Sequence, residues 1–253
     1  AAAAYDSDAS AYFARFSVDP GGTFKGYVNT FVLALKSAGV WSKLDHIGMF
    51  ATPLSADSLL DLRDASASFS VGGTTTFTPN RGIAGNGVDG YVGFPEALAA
   101  AGNQFTQDSA SFGVYCNLQG ALGTGTQVPH LGGTSSARTV YLANDTGQEI
   151  GRINQTANST NVRVSSTRQG HRAGSRTSST ATRYFFNGAF TTAFTPASAT
   201  VDAFIATLGR NGTAYVDDRF SAAWSGGSLT DAEQANLDTA LHSLMTSIGA
   251  QHS

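Results

Sequence analysis

This chain is poor in the residues that most often carry chemistry. Its 253 residues include one cysteine, Cys116, which excludes an internal disulfide and an all-cysteine zinc site. Lysine and glutamate number three each, and charged residues make up 13% of the chain, too few for an ion-pair-rich surface. No apolar run approaches the roughly 18 residues of a membrane-spanning helix, so no membrane anchoring is expected. No basic segment followed by an apolar stretch opens the sequence, so no signal peptide is expected. There is no Gly-x-Ser-x-Gly run for a nucleophilic serine, and no phosphate-loop lysine follows any glycine pair. Glu96, Glu149 and Glu233 are scattered, so the paired carboxylates of a glycosidase are not in view.

What is abundant is small and uncharged. Alanine (38), glycine (29), threonine (28) and serine (27) make up nearly half of the chain. That argues against a helical bundle, while sixteen Phe and eight Tyr argue against disorder. Phe24, Tyr27, Val28, Phe31, Val32 and Leu35 recur at helical spacing and predict a helix over about 23–38, with Thr23 to cap it and Gly39 to end it. Residues 44–50 read as a buried strand, and 55–63 as a short helix with Leu59, Leu60 and Leu62 inward. From about 66 onward, short Thr-, Val-, Phe- and Tyr-rich runs alternate with Gly and Asn turns, as in a sandwich or barrel. Asn187-Gly188 and Asn211-Gly212 predict hairpins. A capping box from Thr230 to Glu233 opens a last helix with Leu237, Leu241, Leu244, Met245 and Ile248 on one stripe, closed by Gly249. Cys116, in an alternating apolar run, is expected in the core. So are Phe31, Leu35, Trp41, Leu44, Phe50, Phe112, Val114, Phe186, Phe204, Leu208, Leu241 and Met245. Residues 1–22 read as an extension or linker, and 23–253 as one domain that begins with a helical segment over 23–63.

The net charge of −3 hides an asymmetry. No acid lies between Glu149 and Asp202, a stretch that holds Arg152, Arg163, Arg168, Arg172, Arg176, Arg183 and His171. A solvated set of strand and loop arginines is one reading. The other is a local positive field that meets an anionic partner. The polar segment 165–182 reads as a long loop or as solvent-facing strands. Arg168, His171, Arg172 and Arg176 are therefore the candidate ligand-binding residues, because arginine forks match carboxylate, sulfate or phosphate oxygens. The strip lacks the aromatic interleaving of a nucleic-acid platform. No metal site is expected. The five histidines are isolated, and a strand puts Asp45 and His46 on opposite faces. Asp217-Asp218, the one adjacent acidic pair, reads as turn material. No catalytic residues and no cofactor are expected.

The stretch Leu35-Lys36-Ser37-Ala38-Gly39-Val40-Trp41-Ser42-Lys43-Leu44-Asp45 resembles a segment of a family of bacteriophage and prophage virion proteins. Phe77-Thr78-Pro79-Asn80-Arg81-Gly82-Ile83-Ala84-Gly85-Asn86-Gly87 is similar to a second segment of that family. Leu208 to Gly212 and Ser228 to Glu233 resemble the closing segments of concanavalin A-like, laminin-G-like jelly rolls. The resemblance implies a mainly β, two-sheet antiparallel jelly-roll sandwich with an N-terminal and a C-terminal helix packed on it. It implies a place on the virion, in a tail or fibre, beside other virion subunits, and a non-enzymatic role in binding a host-surface carbohydrate, with an acidic surface glycan among the expected partners. A homo-oligomer is a further expectation. Purely structural assembly is the alternative. A polysaccharide lyase or glycosidase is a third, with Gln169-Gly170-His171 as its nearest local echo. Within the motifs, Trp41 and Leu44 would be core, and Gly82, Gly85 and Gly87 would be turns.

Overall fold

In a computed structural model, residues 4–120, 127–132, 140–144, 148–156, 159–164 and 167–252 are described. The helices are α1 (Ser7–Phe13), α2 (Gly22–Ser37) and α3 (Asp231–Ser247). The strands run in chain order as β1 (Leu44–Met49), β2 (Ser70–Gly72), β3 (Thr76–Thr78), β4 (Gly82–Ala84), β5 (Tyr91–Ala97), β6 (Ala110–Leu118), β7 (Gln127–Leu131), β8 (Val140–Asn144), β9 (Gln148–Arg152) and β10 (Ser159–Val164). They continue as β11 (Gly170–Ser178), β12 (Ala181–Phe186), β13 (Ala189–Phe190), β14 (Ile205–Leu208), β15 (Arg210–Asn211), β16 (Ala214–Tyr215) and β17 (Arg219–Gly226).

The large sheet runs β13-β12-β11-β6-β17-β4-β3, with β1 beside β17. Two smaller sheets, β10-β9-β8-β7 and β14-β5-β2, are linked where Gly132 and Thr207 exchange backbone hydrogen bonds of 2.8 and 2.9 Å. They form the second layer of an antiparallel jelly-roll sandwich. Successive strand residues point to opposite faces, so the large sheet feeds two cores. Phe112, Val114, Cys116, Tyr184, Phe186 and Phe220 meet Val92, Phe94, Leu131 and Leu208 between the sheets. Tyr115, Ala173, Phe185, Ala222 and Trp224 meet the helices on the other side.

The predicted helices at 23–38 and after Thr230 form as α2 and α3. The Thr230–Glu233 capping box is made, and Gly249 turns left-handed at φ 76° while Ala250 N–H donates to the Met245 carbonyl. At α2 the cap is Gly21 rather than Thr23. Residues 7–13, expected within an extension, form α1 instead, with Ala9, Tyr12 and Phe13 buried against α2. The expected helix at 55–63 is only a 3-10 turn at Ser55–Asp57. Asp61 breaks it: its Oδ1 accepts from the backbone N–H groups of Ile47, Arg63 and Asp64, holding the segment as a loop against β1. Asn187-Gly188 closes the β12–β13 hairpin with both residues at positive φ. The second hairpin pairs Asn211 with Ala214, so its turn is Gly212-Thr213, one residue later than expected. Of the expected core residues only Phe204 is half-buried, because it precedes β14 instead of lying within it. From the sequence, 138–143, 147–153 and 160–166 are also expected as strands; 138–139, 147 and 165–166 lie outside the described residues.

Candidate functional site

The residues that the sequence offered for an anionic ligand lie inside the protein. Segment 167–178 is no exposed loop: β11 is a central strand of the large sheet, hydrogen-bonded to β6 and β12. Arg172 and Arg176 have no exposed surface, and Arg168 and His171 are nearly as deep. Each of these side chains is met by groups of its own chain. Arg168 presents Nε and Nη2 to the two oxygens of Asp218 at 3.0 and 2.8 Å. Arg172 reaches Glu149 Oε1 from Nη2 at 3.1 Å and the carbonyls of Thr167, Arg168 and Gln169. Arg176 is spent on the carbonyls of Ile153, Ser178, Ser179 and Pro196 and on Gln155 Oε1. On the opposite face of the strand, His171 Nδ1 lies 2.8 Å from Asp238, and its Nε2 accepts from Trp224 Nε1 at 3.2 Å. That acceptor role fixes the tautomer: the proton sits on Nδ1. The side chain of Arg163 lies outside the described residues.

The acids that compensate this strip come from distant strands. Asp218, expected in a turn, is fully buried. Burial alone would raise its carboxyl, but His130, 2.9 Å away, and Arg168 outweigh it and hold the group down at about 2. His130 is itself pushed down, chiefly by burial. Cys116, His130 and Asp218 place a sulfur, a nitrogen and an oxygen within 4.8 Å of one another. Burial pushes the Cys116 thiol up, so it stays protonated. The Arg168 guanidinium already holds the charge position against Asp218, so this donor set fits a buried ion pair better than a cation. Asp45 and His46 do face apart. Asp45 accepts from the backbone N–H groups of Gln104 and Phe105, while His46 Nδ1 meets Asp61 at 2.7 Å.

The surface constellation lies on the second layer. Tyr91 on β5 stands opposite Gly72 on β2, and its ring fills the space that a side chain at Gly72 would need. Arg210 and Tyr215 face each other across the β15–β16 hairpin. The guanidinium carbon of Arg210 lies 4.9 Å from the Tyr91 ring centre and 5.9 Å from that of Tyr215, while its Nε donates to the Gly212 carbonyl. All three side chains are half-buried. Each cation–π contact is worth about 0.5–1 kcal/mol at an exposed site. The result is a semi-rigid Tyr–Arg–Tyr platform. Aromatic faces can stack on the C–H face of a ring, and the guanidinium edge donates to oxygens. The sequence reading missed it. The Asn211-Gly212 signal announces a hairpin here, but its expected register is one residue off and does not oppose Arg210 to Tyr215; Tyr91 joins them only through sheet pairing.

Neither a protein-family model nor a curated protein matches the chain. Solved structures share the fold. The chain is similar to domain 4 of AbnA, a GH43 extracellular arabinanase from Geobacillus stearothermophilus in complex with arabinotriose, with a TM-score of 0.54, 17% identity, and coverage of 78% of this chain and 98% of that domain. It is similar to Trypanosoma rangeli sialidase in complex with sialic acid, with a TM-score of 0.55, 10% identity, and coverage of 84% of this chain and 38% of the sialidase. It is also similar to the botulinum neurotoxin serotype D binding domain, with a TM-score of 0.50, 9% identity, and coverage of 78% of this chain and 52% of that one. At such identities the likeness is one of fold, and this chain spans about two fifths of the sialidase.

Proposed function

We propose that this protein is a non-enzymatic carbohydrate-binding module of a phage particle, and that Tyr91, Arg210 and Tyr215 contact the sugar. The Tyr–Arg–Tyr platform carries the reading: it is a half-buried aromatic surface with a guanidinium against both rings, on a sandwich fold. Two of the similar structures hold a sugar by their own descriptions, arabinotriose in one and sialic acid in the other, which supports a saccharide as the ligand class. A guanidinium donor favours an acidic or richly hydroxylated glycan.

The virion assignment rests on the resemblance of the Leu35–Asp45 and Phe77–Gly87 segments. Trp41 and Leu44 are buried, Gly82 and Gly87 have positive φ, and Gly85 is approached by the backbone of Val216 and Gly90. These motif residues therefore serve the fold, and the partners on the particle would be other virion subunits, with copies of this chain adding avidity to a weak single site. The lyase echo at Gln169-Gly170-His171 gains nothing from the structure, since His171 is buried between Asp238 and Trp224.

The test is a host-surface glycan array read beside a reducing-end release assay, with wild type and the Tyr91→Ala, Arg210→Ala double variant. Binding that the double variant loses, without new reducing ends, is the expected result. Turnover of any glycan, or binding that the double variant keeps, overturns the reading.

A further inference from the structure

The helices cover the face of the large sheet that the second layer leaves free, and between α2 and α3 a groove of about 540 Å³ opens to solvent. Thr30, Ala34 and Ala38 belong to its wall on α2, and Ala240, Ser243 and Ser247 to its wall on α3. Small side chains on both walls make a hollow that another surface can approach closely. The outward side of a surface helix ordinarily carries its charges. Here each charged side chain of the two helices lies away from the groove and is met within the chain. Lys25 pairs with Asp19, Lys36 with Asp6 and Asp8, Asp231 with Arg183, and Glu233 with Lys43, while Asp238 meets the His171 ring. Two of the wall's hydroxyls are spent as well: those of Thr30 and Ser247 donate to the Gly26 and Ser243 carbonyls of their own helices, so covering them leaves neither donor unmet. The large apolar side chains are open. Tyr27, in the wall, is 36% exposed and Leu33 is 48% exposed. Leu33 stands three residues after Thr30 and four before Ser37, both in the wall, and so forms the outer rim of α2 beside the groove.

These features describe the partner. A face without charge offers nothing for an oppositely charged surface to recognise, and it can meet a copy of itself without setting like charges together. An isologous dimer needs one further property: projection and hollow must lie on the same surface, because each copy supplies both. Leu33 and the groove meet that requirement. We propose that the α2–α3 face joins two copies of the chain about a twofold axis, with Leu33 of each copy entering the groove of the other. The area agrees with a reversible contact. The α2 helix has 16 residues, so it is about 24 Å long, and two helices side by side are about 20 Å wide. Such a face buries roughly 1,000 Å² over both copies, the lower bound for a specific interface. The dimer therefore exchanges with monomer in dilute solution and is complete where copies are held together. The tyrosine platform lies on the other layer, so the dimer leaves it free.

The experiment is sedimentation velocity on the full chain, from low micromolar to submillimolar protein. A shift with concentration from the monomer's mass to twice that mass is expected. Ala34→Glu and Ser243→Glu, one on each wall, set like charges into the interface, and each should leave a monomer at every concentration. Leu33→Ala removes the projection and should raise the dissociation constant about tenfold or more, as loss of a central interface side chain does. Thr213→Glu, in the turn between β15 and β16, should change nothing. Circular dichroism checks that each variant keeps its helices, and if one glutamate variant fails to fold the other decides. A wild type that stays monomeric throughout overturns the proposal, since the face then serves another partner or solvent. So does a dimer that survives both glutamate variants, that Leu33→Ala leaves unchanged, or that Thr213→Glu abolishes, since its interface lies elsewhere. Assembly beyond two copies also overturns it, because a twofold face closes at the dimer.

Discussion

The indole of Trp224 lies across Gly113 on the neighbouring strand, so that a Cβ on that glycine would fall inside the indole's van der Waals surface, against Nε1. The same Nε1 donates to His171. The absence of a side chain at residue 113 thus sets the height of the indole and the tautomer of a histidine on the next strand. Gly113→Ala should therefore cost about 1–3 kcal/mol by overpacking. Urea denaturation should show a lowered midpoint with an unchanged slope, and an unaffected midpoint would mean that the indole can tilt away.

The buried pair of Arg172 and Glu149 gives a second expectation. Removing one partner leaves a charge in the core, so Arg172→Ala should cost about 3–5 kcal/mol. The double variant Arg172→Met, Glu149→Leu should recover most of that loss, because two apolar side chains leave no buried charge. A double-mutant cycle in urea measures both.

Acid should destabilise the protein through Asp218. Its folded pKa, about 2, lies below its ordinary 3.8. The stabilisation is therefore present above the ordinary value and disappears as pH falls through the folded one. A drop on the order of 2 kcal/mol is expected between about pH 5 and pH 2. Arg168→Met should flatten that drop in urea midpoints taken across the range.

His46 acts in the opposite direction. Burial disfavours its charge, but the Asp61 hydrogen bond and the Asp61, Glu96 and Asp45 charges outweigh it and raise the pKa above 6.5. Its contribution is complete below 6.5 and disappears as pH rises through the folded value. His46→Gln should be less stable than wild type in mild acid, with the difference shrinking in mild base. A constant difference would assign His46 to packing alone.

At the platform, Tyr91→Ala and Arg210→Ala should each weaken glycan binding about tenfold, as loss of a half-exposed aromatic or cation–π contact does. Melting temperature should barely move for Arg210→Ala. Calorimetric titration at low and physiological salt would show Arg210 as the salt-sensitive residue of the pair.

Periodicity and turn chemistry made the helices, most strands and the Asn187-Gly188 hairpin legible, because those signals are local. The Arg strip was misread for the opposite reason. Gly170 to Ser178 looks like a loop because its polar residues alternate with small ones, yet Arg172 is satisfied by Glu149 and Arg168 by Asp218, fifty residues away. Composition reports polarity; only pairing across strands shows whether the polarity is met inside. Asp218 reads as a turn residue on the same grounds, yet it is buried against Arg168 and His130. At the platform only the existence of a hairpin was legible; the pairing of Arg210 with Tyr215 depends on a turn one residue later than Asn211-Gly212, and Tyr91 comes from β5.

The order of strands in the large sheet has a consequence for how the chain reaches its native state. Its central ladder joins β11, β6, β17 and β1, segments from the middle, the first half, the far end and the beginning of the sequence. During synthesis β1 meets only the short 61–62 segment on one edge, and its ladder with β17 waits until residues up to Gly226, the register mate of Leu44, have emerged. The edges of β1 and β6 that β17 covers must therefore wait, and loop-closure entropy must be met before those long-range contacts repay it. Refolding should be slow for a domain of this size, and a ribosome-bound chain halted before β17 should be a substrate for chaperones rather than a folded intermediate.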